Sequence, residues 1–422
     1  MKRFPLRGGN WNNGANAGLG TVNLNNSRVN ASSNIGFRPA LENASSICLK
    51  GQCPCIFEKD AASTAGAETL KATVGAPAAC LYEKIYQFEN LYRAAHACRK
   101  GKTKKLPTLR FFDNLEENLI HLQNQLIWSE YVPSGYTQFY VMEPKRRLIR
   151  APRFIDRVAQ RAVYNYIEPI FDKTYIHDSY ACRRGKGTHS GADRAQSFIR
   201  QVEQGHGRAY ALKADISRYF SSIDHSILKR LVARRIHCQR TLALLHKIID
   251  ECPSDSIGCG IPLGNLLSQV FANVYLHELD FFVKHQLRAR RYIRYMDDFV
   301  IIHHDKAQLQ QWRVQIEEFL RYSLRLSTNS KTQVFPIGVK GGRSLDFLGY
   351  RIYSTHKLLR KCSVKRIKTK MKKYRRQYAE GKLDLADINP NIQSWLGHAG
   401  HANTFNLRKA LFEQPFRRND NV

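Results

Sequence analysis

The chain of 422 residues carries 67 Lys and Arg against 35 Asp and Glu, a formal net charge of +32, with 43% hydrophobic residues. That length gives two or three domains with cores of their own. No apolar run approaches the roughly 20 residues of a membrane span, and the N-terminus MKRFPLRGGNWNNG lacks the hydrophobic segment of a signal peptide, so a cytoplasmic protein without a membrane partner is expected.

A cationic surplus of this size answers a polyanion, most commonly nucleic acid. A membrane surface would instead call for a basic amphipathic helix beside exposed apolar residues, or for a lipidation motif, which is not present. The ten cysteines are scattered and read mostly as reduced thiols. Cys48, Cys53 and Cys55 lack the matching CxxC or HxxxH half of a zinc site.

Residues 1–41 are rich in Gly and Asn and contain no acidic residue; residues 42–80 are small and polar without a sustained period and read as a linker. Periodic structure begins at Leu81. Leu81, Ile85, Phe88, Tyr92 and Ala95 step by helical intervals and predict one apolar face, and Leu115, Leu119, Leu122 and Leu126 repeat the rhythm. From Gln138 to about Tyr353 strand-like and helical runs alternate, which indicates a mixed α/β or α+β body. Residues 354–422 read as helical and very basic.

Three carboxylates stand out in that body. In RYIRYMDDFVIIHH, Tyr292, Ile293 and Tyr295 precede, and Phe299 to Ile302 follow, the pair Asp297 and Asp298, which predicts a hairpin with two carboxylates at its tip. In RAYALKADISRYFSSIDH a strand brings Asp215 to its end before an irregular turn and a helix from about Asp224. A strand end and a neighbouring hairpin thus supply the hard oxygen ligands of a two-metal phosphoryl-transfer site, in which Mg²⁺ ions about 3.5 to 4 Å apart bridge the attacking and leaving oxygens.

The ordered motifs resemble those of reverse transcriptases. YMDD and ADISRYFSSIDH are similar to the two palm motifs that carry the carboxylates, FYVMEPKRRLIRAP to the fingers strands, DSYACRRGKGTH to the segment between fingers and palm, GIPLGNLLSQVFANVYLHELD to the palm helix motif, LRLSTNSKTQVF to the following palm motif and LDFLGY to the primer grip. The resemblance covers about Phe139 to Tyr350 and implies a right-hand polymerase, α+β in class, with fingers and palm over 81–353 and a helical thumb over 354–422. It implies Asp215 and Asp297 as principal ligands of two Mg²⁺ ions, which Mn²⁺ could replace, with Asp298 in support. It further implies Lys145 and Arg147 on the nucleotide phosphates, with Ile216, Leu263, Gly264 and Gln269 in the dNTP pocket and Phe220 as a gate against the ribose 2′-OH. Lys331 would be a general acid toward pyrophosphate, and Phe347, Leu348, Gly349 and Tyr350 the primer grip.

Intron and retron enzymes generally have Pro-Gln-Gly and then Ser-Pro in the palm helix motif. Here the residues are Pro262-Leu263-Gly264 and Ser268-Gln269, which resembles the reverse transcriptases of diversity-generating retroelements. Those enzymes copy a template-repeat RNA into cDNA with errors at adenine, and the resemblance implies a small basic partner, the accessory variability determinant. Leu263, branched and apolar where an amide is usual, becomes the candidate for relaxed fidelity. The segment from Arg7 to Leu41 resembles the end of the C-type-lectin-like variable proteins such elements diversify; nine of the 25 residues from Asn10 to Asn34 are Asn, whose codons begin with a pair of adenines. The expectation is a reading frame that crosses the template repeat, with a physiological start in the 42 to 81 region.

In the last part, Val364, Ile367, Met371, Tyr374 and Tyr378 form one apolar stripe, Ser363 is the expected N-cap and Gly381 the terminator, and no acidic residue occurs from Leu348 to Ala379. One apolar side and one cationic side suit a helix that packs on the palm and follows a phosphate backbone. The competing classes are an intron or retron reverse transcriptase, a non-catalytic RNA-binding protein on a polymerase fold, which would be expected to have lost a carboxylate, and a lectin-type binder, for which the N-terminal segment is too short.

Overall fold

The structure, a computed structural model, describes residues 80–142, 146–254, 256–338 and 342–419. The readings of 1–41, of the 42–79 linker with Cys48, Cys53 and Cys55, and of Lys145 lie outside the described residues. Among the described residues no helix is long and apolar enough to cross a membrane, and every cysteine is a free thiol.

The strands, in chain order, are β1 Tyr136–Val141, β2 Arg147–Pro152, β3 Ala209–Asp215, β4 Tyr292–Tyr295, β5 Asp298–His303, β6 Gln333–Ile337, β7 Leu345–Phe347, β8 Tyr350–Ile352 and β9 Lys357–Leu359. They form a hairpin β1-β2, a four-stranded sheet in the order β4-β5-β3-β6, and a three-stranded sheet β7-β8-β9. All the pairings are antiparallel. This is the expected α+β polymerase fold, with β4-β5-β3-β6 as palm.

The centre of the palm sheet is apolar for a physical reason. In β3, Ala209, Ala211, Leu212 and Ala214 are all buried, because the strand has a neighbour on each edge and helices Thr188–His206 and Lys306–Leu324 pack on the sheet. A strand covered in this way reads as a nearly continuous apolar run rather than an alternation. Helix Leu266–Phe281, buried along most of its length, packs against helices Phe154–Asp172 and His225–Ala233.

The N-terminal helices gather around helix Phe154–Asp172. Here the predicted single face needs correction: the chain breaks at Gln87 into helices Leu81–Tyr86 and Phe88–Arg99. The buried residues are Tyr82, Ile85, Leu91, Ala94 and Ala95, whereas Tyr92 is 43% exposed. The break rotates the second helix, so a stripe counted across it drifts off the core. The next stripe holds, with Leu119, Leu122 and Leu126 buried in helix Leu115–Ile127.

At the other end, the expected boundary at 353/354 cuts through a sheet, since β8 pairs with β9. The basic helix therefore starts at Lys361, and Ser363 lies inside it rather than capping it. Its stripe forms as predicted: Ile367, Met371 and Tyr374 are buried with Ile388 of helix Leu385–Ala399 and Leu411 of helix Phe405–Phe412, giving the thumb its own small core. Gly381 follows the helix with φ +70°, the left-handed conformation that terminates helices cheaply only at glycine.

Candidate polymerase active site

Asp215 ends β3, and its cross-strand partner in β5 is Asp298. Because Tyr295 also pairs with Asp298 at the mouth of the β4-β5 hairpin, Met296 and Asp297 form the connection. Asp298 therefore opens a strand and only Asp297 stands in the turn, a one-residue refinement of the expected tip. The Ile216 N–H donates to the carbonyl of Asp297 at 3.2 Å, which fastens the hairpin turn to the end of β3.

The electrostatics of the carboxylates follow from this closeness. Burial, and then the neighbouring Asp215, push the Asp297 carboxyl up to about 7. Asp298 is pushed up to about 6 by burial; Lys213 opposes the shift and Asp215 adds to it. Lys213 Nζ lies 3.9 Å from Asp298 Oδ2, and among the described residues Asp298 Oδ1 is buried without a hydrogen-bond partner. Crowded acids with an unsatisfied buried oxygen form a site that a cation relieves.

Hard oxygen donors alone suit Mg²⁺, which leaves part of its shell to water and substrate phosphates. Among the described residues, no three His, Cys, Asp or Glu side chains are arranged to hold a metal by themselves. Asp215 acts on both Asp297 and Asp298, and Asp298 is also approached by Lys213. The donor set thus fits a cation shared between protein and substrate better than a closed protein cage.

The other expected residues sort by position. Phe220 lies half-buried in the 3₁₀ turn Tyr219–Ser221, and its carbonyl accepts from the Ile261 N–H at 2.8 Å, so the gate candidate abuts the start of the Gly-Ile-Pro-Leu-Gly segment. Leu263 is half-buried, and its carbonyl accepts from the Arg150 N–H of β2 at 3.0 Å. This bond couples the fingers hairpin, which also carries the half-buried Arg147, to the palm helix motif. Gly264 takes φ +109°, where a side chain would be strained. Asn265 then caps helix Leu266–Phe281 by accepting from the Leu267 N–H, and Gln269 is half-buried on its first turn.

Two groups sit differently from expectation. The Ile216 side chain is 2% exposed and belongs to the core, so its part in the site is its backbone bond to Asp297. The primer-grip residues Phe347, Leu348, Gly349 and Tyr350 are all buried. Phe347 and Tyr350 pack in the palm core, and the Tyr350 hydroxyl bonds to His189 at 2.8 Å and His398 at 2.9 Å. Alternation along β7 and β8 leaves Asp346 and Arg351 as the more exposed residues of that hairpin.

Lys331 is exposed, and its N–H donates to the Asn329 side-chain oxygen at 3.2 Å. Asn329, Lys213 and Arg294 were missed by sequence reasoning. Lys213 had a signal, since it precedes Asp215 by two residues and shares its strand face.

The model of the reverse transcriptase (RNA-dependent DNA polymerase) family matches residues 142–352, half of the chain, and the chain belongs to that family. It is 27% identical over 270 residues to Protein YkfC of Escherichia coli (strain K12), covering 55% of this chain and 70% of that protein. It is also 27% identical over 205 residues to the group II intron-encoded protein LtrA of Lactococcus lactis subsp. cremoris, 46% of this chain but only 32% of that one. Among solved structures, apo telomerase from Candida tropicalis aligns with a TM-score of 0.46 at 12% identity, over 66% of this chain and 60% of that one.

Proposed function

We propose that this reverse transcriptase copies a template-repeat RNA into adenine-mutagenised cDNA as the polymerase of a diversity-generating retroelement, in the cytoplasm and with an accessory variability determinant as partner. The observation that carries the polymerase chemistry is the backbone bond from Ile216 to Asp297, which joins the end of β3 to the hairpin turn and brings Asp297 beside Asp215. Divalent cations, taken to be Mg²⁺, would be held by Asp215 and Asp297 with Asp298 in support. When bound they stabilise the charge that develops on the transferred phosphoryl group.

The chain's own groups do the rest. Arg147, on β2, receives the nucleotide phosphates at the fingers side, and Phe220 excludes a 2′-OH. Lys331, exposed on the loop anchored to Asp215, supplies a proton to the departing pyrophosphate. The cationic face of helix Lys361–Ala379 follows the backbone of the template and cDNA duplex.

The finer assignment rests on Leu263 with Ser268-Gln269, and on the Asn-rich segment from Arg7 to Leu41. A half-buried Leu263, whose carbonyl accepts from the Arg150 N–H, offers no side-chain donor or acceptor to police pairing geometry. A group II intron-like enzyme is the second reading, favoured by the similarity to LtrA. Copying a template-repeat RNA in vitro with the accessory protein and sequencing the cDNA separates the two: errors concentrated at template adenines support the retroelement, and uniformly low errors at all four bases favour the intron-like enzyme.

A further inference from the structure

Beneath the hairpin turn lies a buried polar network that the chemistry above does not use. Arg294 and Asp280 are both 0% exposed. The guanidinium grips Asp280 with two bonds, Nε to Oδ1 at 2.7 Å and Nη2 to Oδ2 at 2.6 Å. Tyr292 donates to the same carboxylate at 2.8 Å. The remaining nitrogen, Nη1, donates to the Asn273 side-chain oxygen at 3.1 Å and to the carbonyl of Met296 at 3.2 Å. Asn273 in turn donates to the Ala181 carbonyl at 2.9 Å.

Met296 is the residue before Asp297, and it holds φ +54°. A left-handed first position in a two-residue hairpin connection is ordinarily given to Gly, Asn or Asp. A methionine persists there only when its surroundings hold it. The sequence supplies no turn former at this first position, and the Met296 carbonyl accepts from a side chain two residues earlier in β4.

We propose that Arg294 is a positioning residue for nucleotidyl transfer: by clamping the Met296 carbonyl from below, it fixes the peptide that carries Asp297 and so sets the distance between Asp297 and Asp215. The inference rests on Asp297 acting as proposed above. Stability alone is a weak reason for such a pair, because a buried ion pair can often be replaced by apolar residues without loss of stability. The fork geometry of arginine, which reaches Asp280 and Met296 at once, is what a lysine or an apolar residue cannot reproduce.

The test uses the full chain with an RNA template, an annealed DNA primer, dNTPs and a MgCl₂ titration. The double variant Arg294→Met/Asp280→Leu removes the pair without stranding a charge. Expected are a near-wild-type melting temperature without metal and unchanged primer-template affinity, together with a single-turnover rate reduced about a hundredfold. The Mg²⁺ needed for half-maximal extension rises, and the upward shift in melting temperature that Mg²⁺ gives the wild type is lost. A folded double variant with wild-type rate and wild-type Mg²⁺ response overturns the proposal.

Arg294→Lys keeps a charge opposite Asp280 and serves if the double variant does not fold. It is expected to melt like wild type yet extend about tenfold more slowly, and a wild-type rate again overturns the proposal. Asp297→Asn is the control for the underlying reading: normal extension by that variant sinks the role of Asp297 itself, whatever Arg294 does.

Discussion

The backbone N–H of Asn329 donates to the carbonyl of Asp215 at 2.7 Å, and the Asn329 side-chain amide approaches the Asp215 carboxylate at 3.5 Å. A loop that follows helix Lys306–Leu324 is thereby held at the end of β3, 114 residues away in sequence. Lys331 rides on that loop. Lys331→Ala is expected to lower the single-turnover rate by about a hundredfold, the ordinary worth of a positioned proton donor, while the KM for dNTPs changes little. Rapid-quench primer extension measures both, and an unchanged rate removes Lys331 from the mechanism.

Asp297→Asn and Asp215→Ala should abolish Mg²⁺-dependent cDNA synthesis but differ from wild type very little in RNA binding. In metal-free buffer at neutral pH, Asp297→Asn is expected to melt at or above the wild-type temperature. It removes a carboxyl that burial and Asp215 already push up to about 7, so a source of repulsion goes with it. Calorimetry with and without MgCl₂ checks this: a variant clearly less stable than wild type without metal contradicts it.

Leu263→Gln restores an amide at the position where related enzymes generally have one. One hydrogen-bonding group discriminates by about 1 to 3 kcal/mol, so errors opposite template adenine should fall about tenfold, with those opposite G, C and U much less affected. Sequencing cDNA from all four template bases decides it. Adenine errors that do not fall in an active variant would remove Leu263 from the proposed retroelement reading.

On the thumb, Lys365, Lys368 and Lys372 line a depression of about 420 Å³ together with Arg351 and Lys361. Replacing the three lysines by glutamine is expected to weaken primer-template binding at low salt and to flatten its dependence on salt, by about one unit of log-log slope for each phosphate that these lysines neutralise. Titrations at several KCl concentrations provide the slope. An unchanged slope would show that this face does not touch the phosphate backbone.

The contact between palm and thumb should be sensitive to acid. His398 is held down to about 4 by burial and then by His189 and His401; His189 is likewise held down to about 4 by burial, His401 and Lys357, with Asp193 opposing. Their folded values lie below the ordinary value of 6.5, so the stabilisation is complete above about pH 6.5 and is lost progressively as pH falls toward 4, where the unfolded chain takes up protons that the folded one refuses. His398→Gln should flatten the fall in melting temperature between those limits. An equally steep fall in that variant would assign the acid sensitivity to other groups.

Sequence by itself determined the family and much of the architecture. The order of the motifs, the strand ending at Asp215, the hairpin around Asp297, the helix from about Asp224 and the thumb stripe from Val364 to Tyr378 were legible because each depends on local spacing, where period and turn chemistry act over a few residues. What only the tertiary structure decided depends on contacts between distant segments. Packing around helix Phe154–Asp172 moved the buried face of the first helices from Tyr92 to Leu91 and Ala94, and pairing of β8 with β9 carries a sheet across the expected boundary at 353/354. Burial turned Phe347 and Tyr350 into core residues. The bonds from Asn329 to Asp215 and from Arg294 to Asp280 and Met296 carry no periodic trace in the chain; they exist because folding brings a loop and a helix under two strand ends, where a buried polar group must find a partner.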